Sequence, residues 1–185
     1  QRRPLACALR LRIANRVTAP PEAAGSHAAE AWALARSRAA ASAIACSIKQ
    51  IGAASCARLT RLQISVVGPP EPSVLPALST ACPNLQHLHI ELQAPLNTGQ
   101  FPAWIPAMQA LPSSLTSMVW DLIVAGTEGG AWRWESVLGA ATQLTGLSSL
   151  SVCLPHNLSN FDAADLIPLA SSHLTHLSLM QESTV

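Results

Sequence analysis

One recurring pattern limits what this chain can fold into. Leu59-x-x-Leu62-x-Ile64, Leu85-x-x-Leu88-x-Ile90, Leu147-x-x-Leu150-x-Val152 and Leu174-x-x-Leu177-x-Leu179 all have the form L-x-x-L-x-L. Leu115-x-x-Met118-x-Trp120 is a looser copy, and Ala8-x-x-Leu11-x-Ile13 a marginal one. The five stronger copies begin at 59, 85, 115, 147 and 174, separations of 26, 30, 32 and 27 residues. Alternate side chains of an extended strand face the same way, so positions four and six of each copy point together into a core. Position one lies at the bend entering the strand. A strand, a crossover and another strand at this interval predict parallel strands about 4.8 Å apart in a right-handed α/β solenoid.

The stretches between strands read as helices or irregular turns. "SVLPALSTACPNL" has Ser73 as a cap candidate, with Leu75, Leu78 and Cys82 at helical spacing. "WIPAMQALPSSL", "AWRWESVLGAATQLTGL" and "DAADLIPLASSHL" repeat the scheme. Pro83 and Pro112 stop helices shortly before the next strand. The Ala-rich residues 26–57 read as one long helix, with Ser26 as its cap and Gly52 near its end. Ile44, Ile48 and Ile51 give it an apolar stripe. Three regions follow: a basic segment with a partial repeat unit (1–25), the Ala-rich helix (26–57) and the repeat solenoid (58–185). No polar capping unit follows the last strand motif, so the solenoid is expected to continue beyond the C-terminus or to meet a partner there.

Over roughly residues 55–185 these motifs resemble the leucine-rich repeat family. The resemblance implies about five to six repeats, with parallel strands on a concave face and helices or irregular turns on the convex one. The family consensus places Asn or Cys at position nine, where this chain has Val67, Gln93, Ile123, Pro155 and Glu182. That departure favours the irregular, long-repeat variety. Cys82 in "ACPNL" resembles the buried helix-end cysteine of cysteine-containing repeats. The resemblance also implies binding through the concave face, at positions three and five. These hold Arg61 and Gln63, His87 and His89, Ser117 and Val119, Ser149 and Ser151, then His176 and Ser178.

Two histidines one residue apart, His87 and His89, match a spacing that metal sites use. A metal needs three or four ligands around one point. Here the nearest expected acid is Glu91, and His176 lies three repeats away, about 14 Å by strand stacking. We therefore read the pair as surface or interface histidines, with no metal and no other cofactor. No Gly-x-Ser-x-Gly supports nucleophilic catalysis, and "GTEGGAW" lacks the lysine and spacing of a phosphate loop. Trp132 and Trp134 flank Arg133, and the simplest reading packs one of them in the core. No catalytic residue is assigned, and a non-enzymatic role is expected.

Charge is unevenly distributed. Residues 1–61 hold ten Lys and Arg against two acids, a net of +8; the rest hold one against eight, a net of −7. Arg10, Arg12 and Arg16 form a basic N-terminal end that suits an acidic protein or nucleic acid. If the marginal first motif stacks beside the second, Arg10 and Arg12 occupy positions three and five of that unit. Only 11% of residues are charged, against about 25% in ordinary soluble domains, which argues that a partner covers part of the surface. No apolar run approaches the ~20 residues of a spanning helix. Five dispersed cysteines without a Cys-x-x-Cys pair read as buried thiols in a reducing, intracellular compartment. The Arg-rich, acid-poor N-terminus shares the bias of organelle transit peptides, so a chloroplast or mitochondrial setting fits as well. The expected function is a protein-interaction or scaffold module within a larger assembly. Alternatives are an RNA–protein assembly subunit using the basic end, and a substrate-recognition subunit of a ubiquitin ligase. No F-box-like helical segment is recognisable in residues 1–58.

Overall fold

Each L-x-L alternation becomes a strand with one apolar and one polar face. The computed structural model describes residues 7–13, 35, 39, 42–48, 50–67, 73–93, 104–123, 138–139, 141–154, 166, 169 and 173–181. Within them lie the strands β1 (Cys7–Ile13), β2 (Leu59–Val67), β3 (His87–Gln93), β4 (Ser117–Ile123), β5 (Ser149–Leu154) and β6 (His176–Gln181). They form a six-stranded sheet in the order β1-β2-β3-β4-β5-β6, with every neighbouring pair parallel. Parallel strands need a crossover, and helices supply part of it. The architecture is therefore α/β, with sequential parallel pairing.

The five stronger motifs stack in register. Leu62, Leu88, Met118, Leu150 and Leu177 are partners across successive strands, as are Ile64, Ile90, Trp120, Val152 and Leu179. From β2 to β5 all of these are buried, at 3% exposure or less. On β6 the same positions are less covered: Leu177 is 41% exposed and Leu179 is half-buried. An interior strand has a neighbour on each side, and the described sheet gives β6 one.

β1 corrects the expected register. Leu9 pairs with Leu62 and Leu11 with Ile64, so Arg10 holds position five and Arg12 position seven. The motif beginning at Ala8 placed them two residues earlier. A slip of two leaves each side chain on the same face, and Leu9, Leu11 and Ile13 all suit the apolar side. The apolar pattern alone could not choose between the two registers. The pairing also shifts locally between Cys7 and Ala8.

Helices cover the apolar face. The helix Val74–Ala81 buries Val74, Leu75 and Leu78, and the helix Trp104–Gln109 buries Ala107 and Met108. Ser73 precedes the first of these with helical dihedrals and makes no side-chain cap bond. Residues 42–48 and 50–51 are helical, with Ile44 buried and Ile48 and Ile51 packed against the core. Gly52, at φ 82°, interrupts this helix, and Ala53–Cys56 is a separate short turn. The stretch expected as one helix over 26–57 is therefore divided near its end, and most of its first half, with the expected cap Ser26, lies outside the described residues. A left-handed φ of this size is open to glycine and costs other residues roughly 1 kcal/mol or more.

Hydrogen bonds tie consecutive units at fixed positions. Before each of three strands a tight turn closes through Leu85 N–H to Cys82 O (3.1 Å), Leu115 N–H to Pro112 O (3.0 Å) and Leu147 N–H to Leu144 O (2.9 Å). At position two the hydroxyls form a ladder: Thr116 donates to Gln86 O (3.1 Å), Ser148 to Thr116 O (3.1 Å) and Thr175 to Ser148 O (3.0 Å). Just ahead of position one, Asn84 Nδ2 donates to Ala57 O (2.7 Å) and Ser114 Oγ to Pro83 O (2.8 Å). Gly146 holds the equivalent place in the next unit. A Cβ there would lie 2.3 Å from Ser113 O, so close packing of backbone replaces the side-chain bond.

Candidate functional site

The outward positions of the strands assemble into one polar surface. Position three reads Ala8, Arg61, His87, Ser117, Ser149 and His176 from β1 to β6, all register partners. Position five reads Arg10, Gln63, His89, Val119, Ser151 and Ser178. All ten residues expected on this face are brought onto it. Arg61, His176 and Ser178 are exposed, while Gln63, His87, His89, Ser117, Val119, Ser149 and Ser151 are half-buried by their neighbours. Of the basic end, Arg10 is exposed on this face and Arg12 lies on β1 opposite Ser65, whereas Arg16 is outside the described residues. "GTEGGAW", Trp132 and Trp134 are outside them too.

The face extends one position further than the sequence reading took it. Position seven adds Glu91, Asp121, Cys153 and Met180, again in register, while Ser65 at the same level of β2 is buried. Asp121 is the acid that reaches a histidine: His89 Nε2 donates to Asp121 Oδ2 at 2.6 Å, diagonally across β3 and β4. A carboxylate only accepts, so the proton of this bond belongs to Nε2. The two side chains are 30% and 27% exposed, and water screens the pair. Sequence reasoning named Glu91, on the same strand as His89, as the nearest acid. The usable signal was the register: position seven of the next strand is a diagonal neighbour of position five.

The histidines have different surroundings. His87 is held below its ordinary pKa, first by partial burial and then by the positive charge of Arg61. Arg61 is its partner on β2. Among the described residues no ion pair joins Arg10 or Arg61 to a carboxylate. Positive charge therefore accumulates at the β1–β3 end of positions three and five. The β4–β6 end of those positions offers small hydroxyls, Val119 and His176. An open depression of about 340 Å³ lies over the β1–β4 end, floored by the sheet and edged by Arg10, Arg61, His87 and His89.

Among the described residues no group of three or more His, Cys, Asp or Glu is placed to hold a metal ion. His176 shares a row with His87 but stands three strands away, so the histidines do not converge. Cys56 and Cys82 are buried in consecutive units, and burial with the neighbouring Cys56 pushes the Cys82 thiol up to about 11. A thiol so protonated is a poor nucleophile. No helix among the described residues is long and apolar enough to cross a membrane. No protein-family model, curated protein or solved structure matches this chain.

Proposed function

We propose that this chain is a leucine-rich-repeat type of solenoid, of the irregular long-repeat variety, acting as a non-enzymatic docking module within a larger assembly. The observation that carries the reading is the in-register outer face. Repeats of 26 to 32 residues deliver their position-three and position-five side chains to one continuous surface. The register of the inward residues aligns these rows, and a macromolecular partner can read a continuous polar surface of this kind through many small contacts. Among the described residues Cys56 and Cys82 stand as buried thiols outside any disulfide, which suits a reducing compartment, while Cys46 is exposed and departs from the expectation that the thiols are buried.

Photo-crosslinking in the native cell tests the proposal. A photoreactive amino acid replaces Ser149 or Ser178 on the outer face, or exposed Thr80 on the helix side. Crosslinks to a discrete partner are expected from the two strand positions and not from Thr80. Equal capture from Thr80, or none from the strands, would remove the outer face from the binding role.

A further inference from the structure

We propose that the β1–β3 corner of the outer face, built on Arg10, Arg61 and His87, receives an extended acidic peptide segment of a partner protein carrying two acids one residue apart. The inference rests on the docking-module reading above and specifies its ligand. Three observations converge on it.

The first is uncompensated charge. Arg10 and Arg61 are exposed, and among the described residues no carboxylate pairs with them. Asp121, the nearby acid with an assigned partner, is engaged by His89. Like charges held close together repel, and an incoming carboxylate relieves that repulsion. The second is shape. The corner opens into the 340 Å³ depression, so a ligand side chain meets the guanidinium groups from one side while the sheet supplies the floor. The third is spacing. Arg10 is the partner of Gln63, two residues beyond Arg61 on the neighbouring strand. Strand separation and rise put their backbones about 8 Å apart. Acids at i and i+2 of an extended peptide project on one side roughly 7 Å apart, within reach of two long arginine side chains. The planar guanidinium fork matches a carboxylate with two parallel hydrogen bonds.

A nucleic acid fits less well. Single-stranded binding draws on aromatic platforms for base stacking. At positions three, five and seven the described face carries no Phe, Tyr or Trp, only the small rings of His87, His89 and His176, and Trp120 is buried on the opposite side.

His87 adds a proton linkage. The charged and titratable groups around it are Arg61 on β2, His89 and Glu91 on its own strand and Asp121 on β4, where Ser117 is its register partner. A carboxylate bound beside Arg61 offsets the charge that opposes protonation of His87. Binding then takes up a proton, and affinity rises as pH falls.

A random dodecapeptide library displayed on phage, selected on the purified protein, tests this without a known partner. Selected peptides should carry an acid-x-acid pair. Arg10→Gln and Arg61→Gln should each weaken them about fivefold, the size of one partly exposed ion pair. Both residues are exposed, so the fold is expected to survive, and a thermal melt of each variant checks it. His87→Gln should remove the tightening between pH 7.5 and pH 5.5. Selected peptides without acids, lost in Ser149→Arg but not in Arg61→Gln, would overturn the acidic-ligand inference and leave the docking reading standing. Peptides insensitive to every outer-face variant would overturn both. An uridylate dodecamer binding more tightly than the selected peptides at equal ionic strength would also overturn the inference, in favour of RNA.

Discussion

Leu88 and Leu177 occupy the same position of the same motif, yet one is 1% exposed and the other 41%. Their strands differ in surroundings and not in local pattern. β3 is flanked by β2 and β4, while the described sheet places β5 alone beside β6. Burial in this architecture is supplied by the neighbouring unit, so a motif specifies where a side chain points and the stack decides how much that orientation is worth. Met180, 48% exposed, belongs to the same edge.

The largest test of that contrast is truncation at the two leucines. Leu88→Ala removes a side chain packed on all sides and should cost about 2–5 kcal/mol. Leu177→Ala forfeits less burial and leaves no closed cavity, so about 1 kcal/mol is expected. Urea unfolding of the two variants measures both. Equal losses would mean that β6 is covered in solution as fully as β3.

Glycines sharpen the comparison next. Gly146 lies where consecutive units touch, and a Cβ would meet Ser113 O at 2.3 Å and Leu115 O at 3.1 Å. Both contacts are backbone and cannot swing aside, so Gly146→Ala should destabilise by about 1–3 kcal/mol. Gly139 is helical with open space around it, and Gly139→Ala should be neutral or stabilise by up to about 1 kcal/mol. Thermal melts should separate the two in sign; a neutral Gly146→Ala would show that the units do not pack so closely.

The hydroxyl ladder gives a smaller contrast. Thr116 donates to Gln86 O, so Thr116→Val should cost about 1 kcal/mol. Thr60 is its counterpart on β2, but its Oγ1 is buried without a partner, at the level where the β1 register shifts. Thr60→Val removes a hydroxyl that gains nothing from the fold and should be neutral or stabilising. If Thr60→Val costs as much as Thr116→Val, the ladder continues to β1.

These contrasts show what the sequence made legible. Parallel strands, their inward leucines and all ten outward residues of β2–β6 follow from spacing and alternation, because those properties repeat in every copy. The β1 register does not, since a two-residue slip leaves an alternating pattern unchanged. The His89–Asp121 bond was also missed. It joins residues 32 apart, and only the step from one copy to the next makes them neighbours. The break at Gly52 required its backbone angle, because one glycine in an Ala-rich run marks a possible end without fixing it.

The smallest expected effect concerns acid. On an interior strand, His87 is half-buried beside Arg61, and burial followed by that charge lowers its pKa from the ordinary 6.5. Unfolded, the ring takes its proton near 6.5; folded, it does so only at lower pH. Between these values the unfolded chain binds more protons, so stability falls as pH drops below about 6.5 and recovers as pH rises. Because His87 is only half-buried, this should be a small part of the acid response. His87→Gln removes the contribution, so the wild type should lose more stability than the variant between pH 7.5 and pH 5.5. Urea midpoints at the two values read the difference. Added salt separates the causes, since at 1 M the screening length of about 3 Å weakens the exposed charge of neighbouring Arg61 but leaves desolvation untouched. Burial is the larger cause, so most of the difference should persist in salt. A wild type that gains stability over the variant on acidification would mean that a carboxylate, and not Arg61, dominates the surroundings of His87.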